Sequence, residues 1–247
     1  MLSGIADPAA REAGAPSLPD LGTEEVILEG ASVLQVLYEV ANDNAELLPP
    51  ALHPTVPGIV NWAVYDVPDS PWGAFRLAQT RIECRSGTRP RGFLISGVID
   101  NDNAREALET RWGYGLASGQ IDFRRGYDGV DVGVRTRTGE PCLALGLREP
   151  VRLPAEVVQF VSSLHPAQTP RGYRLLQVDP RHNVHRAERG DPRVELFDAE
   201  AWGEARIEPV YPVSACICLA DVVLPRLRFL CRPGEIAFTG TEPIAEQ

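Results

Sequence analysis

Near its C-terminal end, the chain reads RVELFDAEAW (residues 193–202) and then ACICLADVVLPRLRFL (residues 215–230). The second segment is apolar and is interrupted at Leu224-Pro225, so it predicts a strand that ends in a turn. Cys216 and Cys218 lie two positions apart, on one face of this strand. We expect both thiols to pack in the core rather than to carry redox chemistry.

Similar apolar segments recur along the chain, separated by turns that its 22 glycines and 22 prolines favour. Residues 75–84 and 93–99 predict a hairpin around Ser86-Gly87. Residues 101–112 (NDNAREALETRW) predict a helix with Asn101 or Asp102 as its N-cap. Further strands are predicted at residues 26–39, 58–67, 121–125, 130–137, 142–148, 173–178, 184–189 and 205–210, with a helical turn at 43–48 and either strand or helix at 153–164. The sequence therefore predicts a mainly β (β+α) fold, mostly antiparallel, with few short helices.

The domain organisation is predicted to be simple. Residues 1–25 are rich in alanine, proline and glycine, which indicates a flexible N-terminal arm or an arm that docks on a neighbouring subunit. Residues 26–235 contain no internal repeat and no convincing linker, so we interpret them as a single domain. Residues 236–247 are interpreted as a C-terminal tail.

Lysine is absent from this sequence, because all 24 residues counted as Lys+Arg are arginine. A guanidinium stays protonated and cannot form an imine as a lysine amine does. The net charge of −10 argues against nucleic acid as a partner. Residues 210–224, the longest apolar stretch, contain Asp221 and are too short to span a membrane. The five cysteines lack disulfide spacing and residues 1–22 lack a secretory apolar region, so we predict a cytoplasmic protein.

The sequence has no G-x-S-x-G elbow of a hydrolase, no nucleotide-binding P-loop and no G-x-G-x-x-G dinucleotide fingerprint. His182 and His185 form H-x-x-H, which on a helix would present two imidazoles to a metal. Pro180 precedes this pair and arginines flank it, which favours an exposed loop or edge strand. No third ligand has a suitable spacing, so we predict neither a metal nor a cofactor.

The two C-terminal segments, together with AREALETRWGYGLASG (residues 104–119) and LYEVANDNAELLPPAL (residues 37–52), resemble the acetoacetate decarboxylase family. The resemblance covers residues 26–232. It implies an antiparallel β-barrel-like sheet around a closed hydrophobic pocket, usually in a large homo-oligomer. In that family, the first of two paired lysines forms an imine with a β-keto acid, and the second lysine lowers the pKa of the first.

At the positions that the family uses for catalysis, this sequence has apolar or small residues. The signature aromatic falls on Tyr114, and the two lysine positions fall on Leu116 and Ala117. The family's pocket arginine falls near Ala31 and its two pocket glutamates near Val60 and Leu77, to within one or two residues. The resemblance therefore implies a family member that cannot form a lysine Schiff base.

Residues 76–84 follow the period of a strand, so Leu77, Gln79, Arg81 and Glu83 share one face. Arg81 and Glu83 could bind a carboxylate or act as acid and base, although the general rule for charge pairs favours a surface or subunit-interface ion pair. We take Tyr114, Glu83 and Arg81 as candidate catalytic residues. The candidate substrate-binding residues are Trp112, Leu116, Ala117, Leu77, Gln79 and Trp62. Core packing is the alternative explanation for the aromatic residues.

Two functions remain open from the sequence. The first is a non-covalent pocket enzyme of secondary metabolism, a lyase or dehydratase, isomerase, cyclase or hydrolase. Its substrate would be a small oxo-acid or a polyketide-like intermediate, held by confinement and a few hydrogen bonds. The second is a non-catalytic family member that binds an apolar carboxylate or serves in assembly. Convergent polar groups in the pocket would favour the enzyme, and a purely apolar lining would favour the second function.

Overall fold

Fourteen strands form one continuous sheet in the computed structural model, which describes residues 3–41 and 44–244. The strands are β1 (Val26–Val40), β2 (His53–Pro54), β3 (Ile59–Val67), β4 (Phe75–Ser86), β5 (Arg89–Ile99), β6 (Ala117–Arg125), β7 (Gly129–Thr136), β8 (Pro141–Leu153), β9 (Ser163–Thr169), β10 (Gly172–Val178), β11 (Arg181–Phe197), β12 (Pro209–Leu224), β13 (Phe229–Cys231) and β14 (Thr241–Pro243). The helices are α1 (Pro8–Glu12), α2 (Asp102–Trp112), α3 (Ala199–Trp202) and α4 (Ala237–Gly240). The predicted mainly β fold with few short helices is confirmed.

Nine of these strands pair in a closed circuit, in the order β5-β6-β7-β8-β11-β12-β1-β3-β4 and back to β5. All pairs in the circuit are antiparallel except β5–β6, which is parallel and has only two residue pairs, Val98 with Ala117 and Ile99 with Ser118. Strands β9, β10, β13 and β14 extend from β5, and β2 adds to β4. The circuit is therefore barrel-like, with one weakly paired junction.

The alternation of side chains divides the apolar residues into two clusters. The first cluster takes one face of the strands all round the circuit, including Trp62 and Val64 of β3, and so lies inside it. The second cluster takes the other face of β1, β3 and β4, including Ala63 and Tyr65. Helix α2 and strand β10 cover this second cluster. The predicted helical turn at residues 43–48 corresponds to a short 3-10 segment, Asn44–Leu47, and residue 43 lies outside the described residues.

Helix α2 begins and ends with strong local signals. The Asn101 side-chain oxygen accepts hydrogen bonds from the backbone N–H groups of Asn103 and Ala104, at 2.9 and 3.1 Å. Its side-chain nitrogen donates to the carbonyl oxygens of Trp72 and Ala74. At the other end, Gly113 has φ 68°, a left-handed conformation that glycine adopts at little cost. Asn101 thus fixes the helix to the preceding loop.

Replacing Asn101 with alanine is expected to lower the free energy of unfolding by about 1–2 kcal/mol. The change removes the cap and leaves four backbone groups without these side-chain partners. Urea unfolding of this variant and of Asn103→Ala, an exposed neighbour in the same helix, measures the difference. Equal stability losses in the two variants would contradict the role of Asn101.

Two predicted segments differ from the structure. Residues 205–210 do not form a strand: Ala205–Ile207 is a 3-10 turn, and β12 begins at Pro209. The turn is favoured because the Glu204 side chain accepts a hydrogen bond from the backbone N–H of Arg206 and pairs with its guanidinium at 2.7 Å. Residues 153–164 are mostly irregular, with a 3-10 turn at Ala155–Val157.

The N-terminal segment lies against its own chain. The Gly4 N–H donates to the carbonyl of Leu52, and the Leu18 N–H donates to the carbonyl of Gln168 in β9, both at 2.8 Å. The Leu18 side chain is buried, and Arg11 lies 5.6 Å from the ring centroid of Phe93. These contacts place residues of the predicted N-terminal arm against β9 and against the segment before β2. Within the described part of the chain, every helix is too short or too polar to cross a membrane.

Candidate functional site

Strand β4 carries a row of polar side chains on the face that looks toward the second cluster. Leu77 belongs to that cluster, whereas its neighbour Ala78 belongs to the first. Gln79 and Arg81 continue the alternation from Leu77 and are 2% and 3% exposed. The predicted common face is therefore present, and it is buried rather than at the surface.

Arg81 is a buried cation with unused hydrogen-bond donors. Its Nη1 donates to the carbonyl of Val161 at 3.2 Å. Its Nε and Nη2 atoms are buried and have no hydrogen-bond partner among the described residues, and the same holds for Oε1 of the adjacent Gln79. A buried donor without a partner is costly, and a buried charge more so. The two nitrogens of the guanidinium can therefore donate hydrogen bonds to an anion that enters the second cluster.

Glu83 lies two residues further along the same face. Its Oε1 accepts a hydrogen bond from Nδ2 of Asn61 at 3.4 Å, and the same nitrogen donates to Oε1 of Gln35. Burial raises the pKa of Glu83, while the Arg81 charge and the Asn61 hydrogen bond oppose that rise. A carboxyl group whose pKa is raised by burial can act as a general acid or base.

Tyr65 and His182 meet at the same buried site. The Tyr65 hydroxyl oxygen is 3.4 Å from Nε2 of His182. The imidazole stacks on Phe160, with ring centroids 3.6 Å apart and an interplanar angle of 1°. Burial, with a smaller contribution from the Arg81 charge, lowers the pKa of His182 to about 3. His182 is therefore a neutral imidazole at physiological pH.

His165 holds the turn that follows α2. Its Nδ1 donates to the carbonyl of Trp112 at 2.8 Å, and its Nε2 accepts from the Ser163 hydroxyl at 2.9 Å. Burial lowers the pKa of His165 to about 3, so the ring is neutral. Its ring lies 4.3 Å from that of Tyr114, measured between centroids, with an interplanar angle of 67°. Since both ring nitrogens are occupied, His165 positions Tyr114 and has no nitrogen left for a ligand.

A small, partly open cavity lies beside Tyr65 and Tyr114. Its volume is about 20 Å³, enough for one water molecule. Tyr65 and Tyr114 are the two lining residues that carry a polar group, and the remaining lining is apolar. The lining residues are Leu28, Tyr65, Phe75, Leu77, Leu108, Tyr114, Pro180, Val222 and Leu224. A ligand larger than water therefore enters only if some of these side chains move.

The predicted site residues on the turn after α2 take different positions. Trp112 is fully buried and donates from Nε1 to the carbonyl of Pro225 at 2.7 Å, which anchors the helix. Leu116 belongs to the second cluster and packs against Gly97: a Cβ on that glycine would lie 2.7 Å from Leu116 Cδ2. Leu116 also lines a surface groove of about 660 Å³. Ala117 is exposed at the start of β6. Leu116 thus lies between this groove and the second cluster.

Trp62, a predicted substrate-binding residue, is not among the residues that line the cavity. It belongs to the first cluster, where its ring packs 6.1 Å from Tyr38 and 5.7 Å from Phe197 between centroids. Val60 faces the same cluster, because it is an even number of residues from Trp62. The residues of β3 on the cavity side are therefore odd-numbered, and Asn61 and Tyr65 are the polar ones.

The H-x-x-H motif lies in a different setting from the exposed loop or edge strand that its neighbours in the sequence predict. The pair lies in β11, and the two rings do not converge: His182 contacts Tyr65, whereas Nε2 of His185 pairs with Asp221 at 2.9 Å. His182 is half-buried in this strand rather than on an exposed loop. Throughout residues 3–41 and 44–244, no group of three or more His, Cys, Asp or Glu side chains could hold a metal ion.

The chain matches the model of one protein family, described as acetoacetate decarboxylase, over residues 9–232. Solved structures with a similar fold include the acetoacetate decarboxylase of Legionella pneumophila, with a TM-score of 0.72 and 18% identity over 87% of this chain and 88% of that one. The enduracididine biosynthesis enzyme MppR, complexed with pyruvate, has a TM-score of 0.65 and 15% identity over 86% of this chain and 97% of that one.

A third similar structure is an acetoacetate decarboxylase-like enzyme from Sphingomonas wittichii, with a TM-score of 0.62 and 17% identity over 82% of this chain and 91% of that one. A comparison with curated protein sequences gives no match. At these identities, the solved structures establish the fold alone.

Proposed function

Because this chain belongs to the acetoacetate decarboxylase family, we propose that it binds a small oxo-acid in the family's pocket and acts on it without a covalent intermediate. The observation that carries this proposal is the buried guanidinium of Arg81, with two nitrogens that lack partners among the described residues. A carboxylate is the ligand group that matches a guanidinium in charge and in geometry. We therefore assign to Arg81 the role of binding the carboxylate of the ligand.

Tyr114 and Glu83 would supply the chemistry beside that carboxylate. Burial raises the pKa of Tyr114, so its hydroxyl stays protonated and can donate a hydrogen bond to the oxo oxygen. Such a donor stabilises the negative charge that develops on this oxygen during enolisation or loss of a neighbouring group. Glu83, whose pKa is raised by burial, is assigned proton transfer to or from carbon. These roles suit a lyase, dehydratase, isomerase, cyclase or hydrolase of an oxo-acid or polyketide-like substrate.

The test of this proposal uses pyruvate and its neutral analogue pyruvamide as probes. We expect ligand-detected NMR to show binding of pyruvate but not of pyruvamide, because only pyruvate carries the carboxylate that Arg81 needs. In deuterium oxide, we also expect the protein to accelerate hydrogen exchange of the pyruvate methyl group. Binding of neither probe would overturn the proposal.

Borohydride reduction in the presence of acetoacetate is expected to leave the mass of the protein unchanged beyond its N-terminal amine. The sequence contains no lysine, so no side-chain amine can form an imine with the ketone. Intact-mass spectrometry followed by peptide mapping measures the outcome, and a lysine-containing family member is the positive control. A reduced adduct on any internal residue would contradict the non-covalent mechanism.

A non-catalytic member of the family is the second candidate, and the size of the cavity favours it. A volume of about 20 Å³ is too small for an oxo-acid in this arrangement. In that case the protein would bind an apolar carboxylate weakly or serve as an assembly partner. Pyruvate binding without accelerated methyl exchange would select this candidate. By resemblance to the family, we also propose a cytoplasmic homo-oligomer, for either function.

A further inference from the structure

Two buried amide side chains connect the backbone of an irregular segment to the carboxylate of Glu83. Gln35 of β1 donates a hydrogen bond from Nε2 to the backbone carbonyl of Gln159 at 3.4 Å. Asn61 of β3 donates from Nδ2 to Oε1 of Gln35 and to Oε1 of Glu83, both at 3.4 Å. Gln35 is 6% exposed and Asn61 is 2% exposed. We call these two side chains the amide relay.

The direction of each hydrogen bond in the amide relay follows from its fixed end. A backbone carbonyl only accepts, so the Gln35 amide turns its NH₂ group toward Gln159. The oxygen of the Gln35 amide then faces Asn61, which meets it with an NH₂ group. The opposite orientation of Asn61 would bring Oδ1 against the Gln35 oxygen, which cannot donate. Asn61 is therefore fixed as a donor to Glu83.

This orientation leaves one buried oxygen of the amide relay without a partner. Oδ1 of Asn61 makes no hydrogen bond to any residue that the structure describes. A buried acceptor without a partner destabilises a fold, so such a group in a native structure needs a reason. The reason here is that both hydrogens of Nδ2 are engaged, one by Gln35 and one by Glu83.

The surroundings of Glu83 leave its second carboxylate oxygen for the proton. Within the described part of the chain, Asn61 alone forms a hydrogen bond with this carboxylate, and it does so at Oε1. An oxygen that already accepts a hydrogen bond is the less basic of the two. Arg81 is the charged group that acts on the carboxylate. On β5 the residue paired with Glu83 is Gly92, and the neighbouring Cys84 stays a thiol because burial raises its pKa.

We infer that Gln35 and Asn61 are positioning residues for Glu83, which hold Oε1 of its carboxylate through the amide relay and direct its proton to Oε2. This inference rests on the proposed role of Glu83 in proton transfer. The irregular segment that fixes the relay also accepts from Arg81, through the Val161 carbonyl at 3.2 Å. One stretch of backbone thus anchors both the group assigned to the ligand's carboxylate and the group assigned to proton transfer.

Carboxyl NMR of the ligand-free protein, labelled with carbon-13 at glutamate, measures the protonation of Glu83. Glu83→Gln identifies its resonance. Donation by Asn61 favours the charged carboxylate and lowers the pKa of Glu83. We therefore expect Asn61→Leu to move the titration midpoint to higher pH. Gln35→Met removes the group that orients Asn61 without touching Glu83, and it should cause a smaller shift in the same direction.

Two further variants separate the amide relay from a general effect of lost polarity. Gln79→Met removes another buried amide on the face of β4 that carries Glu83, and it should leave the midpoint unchanged. In the Asn61→Leu background, Gln35→Met should add no further shift, because the relay is already broken. An unshifted midpoint in Gln35→Met, or an additional shift in the double variant, would overturn the inference. If Gln35→Met does not fold, an unshifted midpoint in Asn61→Leu overturns it.

Hydrogen exchange of the pyruvate methyl group gives the kinetic readout. A base must be charged to accept a proton, so the exchange rate should rise as the pH passes through the Glu83 midpoint. Below that midpoint, we expect exchange by Asn61→Leu to be about tenfold slower, part of the roughly 10²–10⁴-fold that a positioned base contributes. Pyruvate affinity, assigned to Arg81, should stay the same.

The two readouts distinguish failure of the inference from failure of the proposed function. If wild-type protein neither binds pyruvate nor exchanges its methyl group, the proposed function fails. The ligand-free titration then still decides whether the amide relay sets the protonation of Glu83. A shifted titration with an unshifted rate profile would remove Glu83 from proton transfer and contradict the role of the relay in catalysis.

Discussion

Arg81→Met is expected to weaken pyruvate binding by at least about 100-fold, the effect of removing one partner from a buried charged hydrogen bond. Methionine keeps the length of the side chain and its packing, but it provides no donor for a carboxylate. The same variant is expected to be more stable than wild type, by about 1–3 kcal/mol. A buried guanidinium with two nitrogens that lack hydrogen-bond partners costs free energy in the ligand-free fold, and an apolar side chain does not.

Arg76→Met is the matched control for this experiment. Arg76 lies on the same strand but on the other face, is partly exposed, and pairs with Asp66 at 2.8 Å. Its loss should leave pyruvate affinity unchanged and should not raise stability, since surface pairs contribute little. Ligand-detected NMR and urea unfolding give both quantities for both variants. Equal affinities in wild type and Arg81→Met would contradict the assignment of the carboxylate to Arg81.

Leu116→Ala is expected to lower the free energy of unfolding by about 3 kcal/mol, as for other buried leucines cut to alanine. It is also expected to tighten pyruvate binding. Leu116 packs between the surface groove and the second cluster, so removing its side chain would open a path from the groove into that cluster. If the open arrangement is about a tenth of the wild-type population, removing the side chain improves affinity roughly tenfold.

Leu143→Ala separates these two effects. Leu143 is also buried, 1% exposed against 8% for Leu116, but it belongs to the first cluster, inside the circuit and away from the cavity. It should cost a similar amount of stability and leave the affinity unchanged. Urea unfolding and pyruvate titration of both leucine variants provide the measurement. If Leu116→Ala binds pyruvate no better than Leu143→Ala does, Leu116 does not restrict entry.

The period of two along β4 predicted the row of Leu77, Gln79, Arg81 and Glu83, because side chains of any strand alternate between two faces. Helix α2 was also predictable, since its cap and its left-handed terminal glycine are local signals. The same alternation, applied to residues 59–67, would have separated Trp62 from Tyr65 and found Asn61. The sequence does not say which face of a strand meets the pocket when both faces are buried and apolar.

His182 could not be placed from its neighbours in the sequence. Proline and arginine around it indicate exposure, yet pairing with β12 and stacking on Phe160 bury the ring. The segment that carries Phe160 is irregular and has no period to read. Tyr65 and His182 meet only because β3, β1, β12 and β11 are consecutive neighbours in the sheet. Contacts of this kind depend on strand order, which local patterns do not contain.

The junction between β5 and β6 is the most weakly paired point of the nine-strand circuit. It has two residue pairs, whereas the neighbouring β4–β5 and β6–β7 ladders have seven or more each. Local thermal opening of a sheet is expected first where the fewest hydrogen bonds join neighbouring strands. Leu116 immediately precedes Ala117, the first β6 residue of that junction. Local opening at this junction would therefore free Leu116, which packs in the second cluster.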